Sequence, residues 1–322
     1  MANIKELAKG EELFTGGHRA CAGCGAVIVA RQVLMAAGPN TVVVSATGCL
    51  EVISTIFPYT AWNVPFLHSA FENSAATISG VEALHKSWVR QGKYDKKVNF
   101  IAFGGDGGTY DIGLQSLSGA VERGHNILYV CYNNEAYMNT GVQRSGATPK
   151  GADTTTAPVG KVKKGKEQYR KDLTEIMVAH KMPYVAQSVV GNWRDLTSKV
   201  EKALSMEGPK FINVFQPCRL GWSYEPEKTC EMGRLSSDTC IWPLYEVVDG
   251  QYKITYKPKE KKPVTEWIKM QGRFRHLQKP ENKAIVDQIQ DFTDKQWELL
   301  LKKESLTSQA SPVGTDQALP RR

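Results

Sequence analysis

The chain of 322 residues contains no long apolar run. A membrane-spanning helix needs about 20 consecutive apolar residues, and no segment of this sequence approaches that length. The N-terminal stretch MANIKELAKGEELFTGG also lacks the apolar core of a secretory signal peptide. We therefore expect a cytoplasmic protein with no membrane partner.

The sequence also lacks a concentrated basic module, although its net charge is +8. Its 41 Lys and Arg residues are dispersed, whereas a nucleic-acid-binding module gathers them on one segment with interleaved aromatics. The local basic runs at 161–172 and 257–263 are typical of solvated loops. We expect no nucleic-acid partner.

The six histidines show no ligand spacing, so the seven cysteines are the stronger candidates for metal binding. Their odd number argues against a disulfide framework in a reducing compartment. Cys21 and Cys24 are separated by two residues, which fits a zinc ion, a redox-active dithiol or two corners of an iron–sulfur cluster. Cys131 is expected to be a buried strand residue. No role is assigned to Cys230 or Cys240.

Segments rich in β-branched residues alternate along the chain with segments of helical periodicity. Strands are predicted at NTVVVSAT, VNFIAFGG, NILYVCYNN, PYVAQSVV and KFINVFQPC, with amphipathic helices between them. This order predicts an α/β fold with a doubly wound parallel sheet and helices on both faces. Ligands of such sheets bind at the carboxyl ends of the strands.

The pattern weakens beyond about residue 250, which suggests three regions. Residues 1–250 are predicted to form the ligand-binding domain, and residues 251–304 an extended C-terminal arm that packs on partner subunits. Residues 305–322 are polar and are expected to form a disordered tail.

Several predicted strands end in chemically unusual residues. Because the carboxyl ends of parallel strands share one edge of a sheet, we expect these residues to lie close together. They are Thr47, Gly48 and Cys49 after the first strand, Gly105, Asp106, Gly107 and Gly108 at the second, Asn133 and Asn134 at the third, and Cys218 at the last.

The turn GGDGG at residues 104–108 is followed by a predicted helix, so its N–H groups can meet a phosphate. Twenty-five residues separate Gly107 from Asn133, which fits strand, helix, strand and places Asp106 beside Asn134. Their oxygens are hard ligands suited to Mg²⁺ bridging a diphosphate. The alternative is an ordinary tight turn followed by an Asn helix cap, but the two halves together at this spacing disfavour it.

The segment 139–168 is long, rich in Gly, Thr and Pro, and shows neither helical nor strand periodicity. Loops of this length within a compact domain are usually functional or disordered. Because this one directly follows the Asn133 strand end, we expect it to fold over a ligand.

A GDG motif followed at this distance by NN resembles the thiamine diphosphate enzymes. The resemblance implies that Mg²⁺ is held by the side chains of Asp106 and Asn134 and by the main-chain carbonyl of Ala136. It further implies that the cofactor is bound by Thr47, Gly48, Gly105, Asp106, Gly107, Gly108, Asn134, Ala136 and Thr140.

The motifs CAGCG, TGC and PC around this pair make the chain similar to the β subunit of 2-oxoacid:ferredoxin oxidoreductases, in particular the pyruvate:ferredoxin oxidoreductase type. The segments FLHSAFENSAATISGVEA, NNEAYMNTGVQRSGATPKGA and QGRFRHL extend the resemblance over most of the chain. It implies that Cys21, Cys24, Cys49 and Cys218 bind one four-iron, four-sulfur cluster close to thiamine. Asn139 is then expected to act beside the reactive thiazolium as the catalytic residue of this chain.

The resemblance also implies a reversible reaction of a 2-oxoacid, CoA and oxidised ferredoxin to an acyl-CoA, CO₂ and reduced ferredoxin. Pyruvate is the preferred substrate, with branched-chain 2-oxoacids, aryl glyoxylates and oxalate as alternatives. The partners implied are α, γ and δ subunits and ferredoxin. The Glu that activates thiamine is expected from another subunit, although Glu51 and Glu72 are candidates by position.

Two other functions compete with this interpretation. The four cysteines would be structural in a zinc-stapled nucleotide-binding module of the same fold. A basic nucleic-acid-binding protein is a weaker hypothesis, which strongly salt-dependent binding to duplex DNA would support.

Overall fold

The computed structural model describes residues 3–309, in which eight strands form a single sheet. The strands are β1 (Thr41–Ala46), β2 (Phe66–Ser69), β3 (Asn99–Gly105), β4 (Leu128–Asn133), β5 (Tyr184–Val189), β6 (Lys210–Phe215), β7 (Leu244–Val248) and β8 (Gln251–Tyr256).

Eleven α-helices accompany the sheet in the same described range. They are α1 (Ile4–Leu7), α2 (Gly25–Ala37), α3 (Cys49–Ser54), α4 (Ser74–Arg90), α5 (Leu114–Glu122), α6 (Leu173–Ala179), α7 (Trp193–Ser205), α8 (Arg219–Trp222), α9 (Thr229–Asp238), α10 (Val264–Lys269) and α11 (Lys283–Gln309). The shorter helical segments are a π-helical turn at Gly107–Ile112 and 3₁₀ helices at Pro226–Lys228, Gly272–Gln278 and Pro280–Asn282.

The predicted parallel α/β sheet is confirmed. The strand order is β2-β1-β3-β4-β6-β5-β7-β8, and the first six strands in this order run parallel. Alternate residues of a strand enter the cores on opposite faces: Ile101 and Phe103 of β3 pack on one side, and Phe100 and Ala102 on the other. All five strands predicted from the sequence are present, as β1, β3, β4, β5 and β6.

Three strands were not predicted. The strand β2 has only four residues, two of them exposed, so it has no clear apolar pattern. The strands β7 and β8 form an antiparallel hairpin at one edge. Its turn is made by Asp249 and Gly250 with φ of 47° and 82°, and an Asp-Gly pair between apolar segments is a typical hairpin sequence.

The C-terminal helix α11 is longer than the sequence suggested. It continues to Gln309, so the first five residues of the predicted tail are helical, and the rest of that tail lies outside the described residues. The side chains of Glu304 and Thr307 accept hydrogen bonds of 2.7 and 3.0 Å from the backbone N–H groups of Ile254 and Tyr252 on β8. The helix thereby satisfies donors at the open edge of the sheet.

The segment between β8 and α11 packs on the rest of this chain. Trp267, Phe274 and Leu277 are buried in one cluster with Phe215 of β6 and Trp222 of α8. The arm therefore contributes to the core next to the strand ends. Within residues 3–309, no helix combines the length and the apolar character needed to cross a bilayer.

Candidate active site

One narrow cleft opens at the carboxyl ends of β1, β3 and β4. Besides Cys49, Phe71, Tyr132, Tyr137 and Met138, it is lined by all ten residues predicted to be catalytic or to bind the cofactor. These ten are Thr47, Gly48, Gly105, Asp106, Gly107, Gly108, Asn134, Ala136, Asn139 and Thr140.

The register of β3 and β4 brings Asp106 and Asn134 together. Gly105 of β3 pairs with Tyr132 of β4, so the residues that follow these two strands lie close together beyond the sheet. The backbone N–H of Asn134 donates to Asp106 Oδ1 at 3.0 Å, and Ser145 Oγ donates to Asp106 Oδ2 at 2.5 Å. The carboxyl is almost fully buried, with 1% of the residue exposed.

Two further polar groups lie beside this carboxyl. One end of the Asn134 side-chain amide lies 2.8 Å from the Ala136 carbonyl oxygen and 3.0 Å from Asp106 Oδ1, and the other end lies 3.2 Å from Gln216 Nε2. With its NH₂ group toward the first two oxygens and its own oxygen toward Gln216, the amide satisfies all three contacts. Carboxylate, amide and carbonyl oxygens are ligands that Mg²⁺ takes in proteins, so the donor set of Asp106, Asn134 and Ala136 fits this metal when the Asn134 amide presents its oxygen.

The electrostatics of Asp106 agree with a cation-binding role. Burial, together with the nearby Glu135 charge, raises the pKa of Asp106 to about 7 against the opposing effect of the hydrogen bonds from Ser145 and Asn134. A buried carboxyl of this kind is stabilised in its ionised form by a positive charge. The protein itself places no Lys or Arg against Asp106 among the hydrogen bonds and ion pairs of residues 3–309.

Glycines keep the floor of the cleft free of side chains. A Cβ atom on Gly107 would lie 2.5 Å from the ring of Tyr137, and one on Gly108 would lie 2.9 Å from the carbonyl oxygen of Phe71. Both distances are far inside van der Waals contact. These two positions therefore have room only for glycine, as expected of a turn whose backbone N–H groups approach a phosphate.

Gly48 offers a test of this close packing. A Cβ at this position would lie 2.7 Å from the hydroxyl oxygen of Tyr132 and 3.9 Å from its Cζ atom, and the backbone is extended with φ of 164°. We expect Gly48→Ala to lower the free energy of unfolding by about 1–3 kcal/mol through overpacking. Adding Tyr132→Phe removes the clashing oxygen and should restore the unfolding midpoint, measured by thermal denaturation.

A matched control is Gly80→Ala in α4, where a Cβ would meet nothing within 4 Å. Because alanine favours the helix interior, this change should raise stability by about 0.5–1 kcal/mol. A double variant Gly48→Ala/Tyr132→Phe as unstable as Gly48→Ala alone would contradict the steric explanation.

The segment 139–168 folds back against Asp106. The hydroxyl of Ser145 donates to that carboxylate, and the backbone N–H of Ser145 donates to Thr148 Oγ1 at 2.9 Å. The buried ammonium of Lys166 donates to the carbonyl oxygens of Ser145 at 3.2 Å and Thr148 at 2.6 Å. Burial lowers the pKa of Lys166 to about 8. The loop therefore packs beside Asp106 and contacts it through Ser145.

Asn139 and Thr140 lie at the mouth of the cleft and are both exposed. Thr140 is held by Gln143, which accepts from the Thr140 hydroxyl at 2.5 Å and donates to its carbonyl oxygen at 2.9 Å. No hydrogen bond of the Asn139 amide occurs within the described part of the chain. This side chain is available to a bound molecule.

Neither carboxylate candidate from the sequence lines the cleft. Glu51 accepts from Thr55 Oγ1 at 2.7 Å and lies 3.6 Å from His68 Nε2. Glu72 is likewise absent from the lining residues. His68 in turn lies 2.7 Å from Thr47 Oγ1.

The four predicted cysteine ligands lie on three loops that meet at the same edge of the sheet. Cys24 precedes α2, Cys49 begins α3 and Cys218 precedes α8. Cys21 is linked to Cys24 by the hydrogen bond from the Cys24 N–H to the Cys21 carbonyl oxygen, at 3.0 Å. Of the four, Cys49 also lines the cleft.

Two glycines allow the loop with Cys21 and Cys24 to pack closely on the chain around Cys218. Gly23 has φ of 72°, and its Cβ would lie 2.3 Å from the carbonyl oxygen of Pro226. A Cβ on Gly25 would lie 2.7 Å from Gln216 Oε1. The hydroxyl of Thr229 donates to the Gly23 carbonyl oxygen at 2.6 Å. The CAGCG sequence thus packs its backbone directly on the chain around Cys218.

The thiols influence one another electrostatically. Burial, followed by Cys218, Cys24 and Cys21, raises the pKa of Cys49 to about 12. Burial also raises the pKa of Cys24 and Cys218, while backbone N–H groups of Ala26 and Val27 oppose this effect at Cys24. Thiols of this kind stay protonated unless a metal binds them, which fits metal ligation and argues against a reactive dithiol.

The four side chains are near one another without forming a ready ligand set. Among residues 3–309, no three Cys, His, Asp or Glu side chains converge at metal-ligand geometry. The remaining cysteines are separate: Cys131 is fully buried in β4, as predicted, and Cys240 is buried as well. Cys230 is partly exposed.

Sequence reasoning did not identify Phe71, Tyr132, Tyr137 or Ser145 as parts of the site. Phe71 and Tyr137, which both line the cleft, stack with ring centroids 5.8 Å apart. These residues come from separate segments and carry no recognisable spacing. Only their contacts with Asp106 and the glycines identify them.

Comparison with known proteins agrees with this geometry. A family model described as the C-terminal, thiamine pyrophosphate-binding domain of thiamine pyrophosphate enzymes matches residues 46–214. The chain is 56% identical to the pyruvate synthase subunit PorB of Methanocaldococcus jannaschii, over 90% of this chain and 97% of that protein. It is 55% identical to the same subunit of Thermotoga maritima, over 95% and 97%.

A relative named for another substrate is more distant. The ketoisovalerate oxidoreductase subunit VorB of Pyrococcus abyssi is 43% identical over 91% of this chain and 93% of that protein. Among solved structures, a 2-oxoglutarate:ferredoxin oxidoreductase from Magnetococcus marinus matches with a TM-score of 0.52 and 21% identity. That match covers 62% of this chain and 64% of the other, and it shows a common fold. The chain belongs to the thiamine pyrophosphate enzymes and, within them, to the PorB-type β subunits of 2-oxoacid:ferredoxin oxidoreductases.

Proposed function

We propose that this chain is the thiamine diphosphate-binding subunit of a complex that converts pyruvate, CoA and oxidised ferredoxin to acetyl-CoA, CO₂ and reduced ferredoxin, reversibly. Bound thiamine diphosphate supplies the carbon nucleophile for a 2-oxoacid, and an iron–sulfur cluster accepts the electrons singly. One observation carries the proposal. The side chains of Asp106 and Asn134, the Ala136 carbonyl, the glycine-rich turn and the loops with the four cysteines all lie at one edge of the sheet.

The metal and the diphosphate are assigned to the floor of the cleft. Asp106, Asn134 and the Ala136 carbonyl would hold Mg²⁺, because Asp106 Oδ1 and the Ala136 carbonyl oxygen both lie within 3.0 Å of one end of the Asn134 side-chain amide. The diphosphate would lie on the backbone N–H groups of the floor, where negative charge is stabilised. The remaining cofactor residues in this proposal are Thr47, Gly48, Gly105, Gly107, Gly108 and Thr140.

The reacting end of the cofactor is assigned to the mouth of the cleft. Asn139 lies there with an exposed amide, which can donate to a substrate oxygen and accept from a hydroxyl. Its role is to orient the 2-oxoacid and to stabilise charge that develops on its oxygen.

One four-iron, four-sulfur cluster is assigned to Cys21, Cys24, Cys49 and Cys218. Four thiols at one edge of the sheet suit iron–sulfur ligation, in which each becomes a thiolate on binding, and the positive charge of Arg273 favours the thiolate of Cys218. Because Cys49 lines the cleft, the cluster would lie beside the cofactor. This proximity favours electron transfer between the two sites.

The chain is proposed to work only as part of a complex of α, β, γ and δ subunits that reduces ferredoxin. The curated relatives are named as subunits. Among its lining residues the cleft contains no carboxylate besides Asp106, which supports a partner subunit as the source of the group that activates thiamine. We propose residues 1–250 as the catalytic domain and residues 251–304 as an arm that also reaches partner subunits.

Substrate choice is the sharpest functional test. The purified complex, assayed anaerobically for CoA-dependent reduction of a low-potential acceptor, should show a higher kcat/KM for pyruvate than for 2-oxoisovalerate. A difference of about 10- to 200-fold is typical when a pocket discriminates by a few methyl groups. The reverse preference would favour the second candidate, a branched-chain 2-oxoacid oxidoreductase, which the 43% identity to a ketoisovalerate oxidoreductase subunit supports.

A further inference from the structure

Glu135 lies between two of the residues proposed to bind Mg²⁺ and adopts an unusual conformation. Its φ is 64°, in the left-handed region that glutamate rarely enters. Its backbone N–H donates to Asn133 Oδ1 at 2.9 Å, and its carbonyl oxygen accepts from Thr148 Oγ1 at 2.5 Å. The left-handed residue turns the chain so that Asn134 and Ala136 face the same point. Such a conformation is unfavourable for a residue with a side chain and persists only where surrounding contacts enforce it.

The side chain of Glu135 supplies that enforcement. It is completely buried, and its two oxygens contact two different arginines. Oε1 lies 2.8 Å from a terminal nitrogen of Arg170, and Oε2 lies 2.5 Å from a terminal nitrogen of Arg273. A buried carboxylate is stable only when paired, so loss of either arginine leaves it partly uncompensated.

Arg273 contacts the same turn by a second route. Its guanidinium lies 3.7 Å from the ring centroid of Trp222, in cation–π contact. The indole N–H of Trp222 donates to the carbonyl oxygen of Asn134 at 2.9 Å. Arg273 therefore restrains the turn through the Glu135 carboxylate and, through Trp222, at the Asn134 backbone.

The arginine is itself held rigidly. Its Nε donates to Gln271 Oε1 at 2.8 Å, and its carbonyl oxygen accepts from the Asp153 N–H at 3.1 Å. The preceding Gly272 packs against Ser223, where a Cβ would approach to 2.6 Å. Arg273 is only 5% exposed. The QGRFRHL segment, 138 residues beyond Glu135, thus forms part of the support of the metal-binding turn.

We infer that Arg273 is a positioning residue, which holds Glu135 and Trp222 so that the turn from Asn134 to Ala136 keeps its metal-binding conformation. This inference rests on the proposed function, because it assigns the turn to Mg²⁺. It gives the C-terminal arm a role inside its own subunit, in addition to any contact with partners.

The test uses the complex with its partner subunits and the variants Arg273→Met and Arg273→Lys. Mg²⁺ affinity is measured by calorimetric titration in the presence of saturating thiamine diphosphate. Groups that support metal ligands typically change metal affinity by about 10- to 100-fold, and we expect the Kd for Mg²⁺ to rise by that amount in Arg273→Met. The lysine variant keeps the positive charge but lacks the planar guanidinium group, so we expect an intermediate Kd for Mg²⁺. High Mg²⁺ should restore kcat in both variants.

Two control variants separate positioning from general stability. Arg275→Met changes an exposed arginine of the same 3₁₀ helix and should leave the Kd within about twofold, as expected for a surface substitution. Ile268→Val trims a buried residue of the same core cluster, and should lower the unfolding midpoint without changing the Kd. Should Arg273→Met fail to assemble, Trp222→Phe replaces it, since it removes the hydrogen bond to Asn134 and should also raise the Kd.

The outcomes are distinct. Folded Arg273 and Trp222 variants with the wild-type Kd for Mg²⁺ would overturn the positioning role and leave the proposed function intact. A wild-type complex that takes up neither Mg²⁺ nor thiamine diphosphate would overturn the proposed function itself. A raised Kd in Ile268→Val equal to that in Arg273→Met would reduce Arg273 to a general stabilising residue.

Discussion

Asp106→Asn is expected to abolish binding of thiamine diphosphate with Mg²⁺, with a loss of affinity of about 100-fold or more, beyond the range typical of groups that only support a ligand. The amide has nearly the same size as the carboxylate but lacks its charge. It can still accept the 3.0 Å hydrogen bond from the Asn134 N–H, so the turn should keep its shape. Calorimetric titration of the purified complex with the cofactor and Mg²⁺ measures the effect.

The same substitution should not destabilise the cofactor-free protein. Burial raises the pKa of Asp106 to about 7, so above that pH the folded chain without metal carries a buried carboxylate that opposes folding. Replacing it by a neutral amide removes this cost, and the unfolding midpoint at pH 8 should stay equal or rise. Asp95→Asn, at an exposed position, is the matched control. Wild-type cofactor affinity in Asp106→Asn would exclude the proposed metal site.

Cys49→Ser is expected to remove the iron–sulfur cluster and with it all electron transfer to ferredoxin. Wild-type protein should contain about four irons and four sulfides per chain, with a brown absorbance that dithionite bleaches. A serine at the thiol that borders both the cleft and the other three cysteines should reduce the iron content to less than about one per chain, since a four-cysteine site tolerates the loss of a thiolate poorly. Anaerobic iron, sulfide and zinc analysis measures this directly.

Cys230→Ser is the matched control, because Cys230 is also partly exposed but is not among the charges that shift the pKa of Cys24, Cys49 or Cys218. It should retain full iron content and colour. One zinc per wild-type chain without iron or sulfide would instead make the cysteines structural. The complex would then lack the electron acceptor that the proposed reaction needs.

Most of the sheet was predictable because buried parallel strands are continuous apolar segments. The segments that became β1, β3, β4, β5 and β6 have every residue buried or nearly so. The hairpin of β7 and β8 was missed, although its Asp-Gly turn is a local feature. The full length of α11 was not predictable, since Glu304 and Thr307 look like ordinary polar residues until β8 lies beside them.

The candidate site divides in the same way. Asp106 and Asn134 follow from motif and spacing, because the ends of parallel strands must share one edge, whereas the set of four cysteines is implied by the family resemblance. Ser145, Tyr132 and Arg273 carry no motif. Their contacts join segments 39, 84 and 138 residues apart, counting Ser145 to Asp106, Tyr132 to Gly48 and Arg273 to Glu135.

The sequence by itself determined the fold class, the edge of the sheet that carries the candidate site and the residues expected there, because periodicity and turn chemistry act locally. Only the tertiary structure decided how Asp106, Asn134 and the Ala136 carbonyl are brought together and what holds them there. The turn depends on Glu135 in a left-handed conformation, which is unfavourable in isolation. It is maintained by Arg273 from the far end of the chain, and no local pattern can encode a contact whose partner is set by the packing of the whole chain.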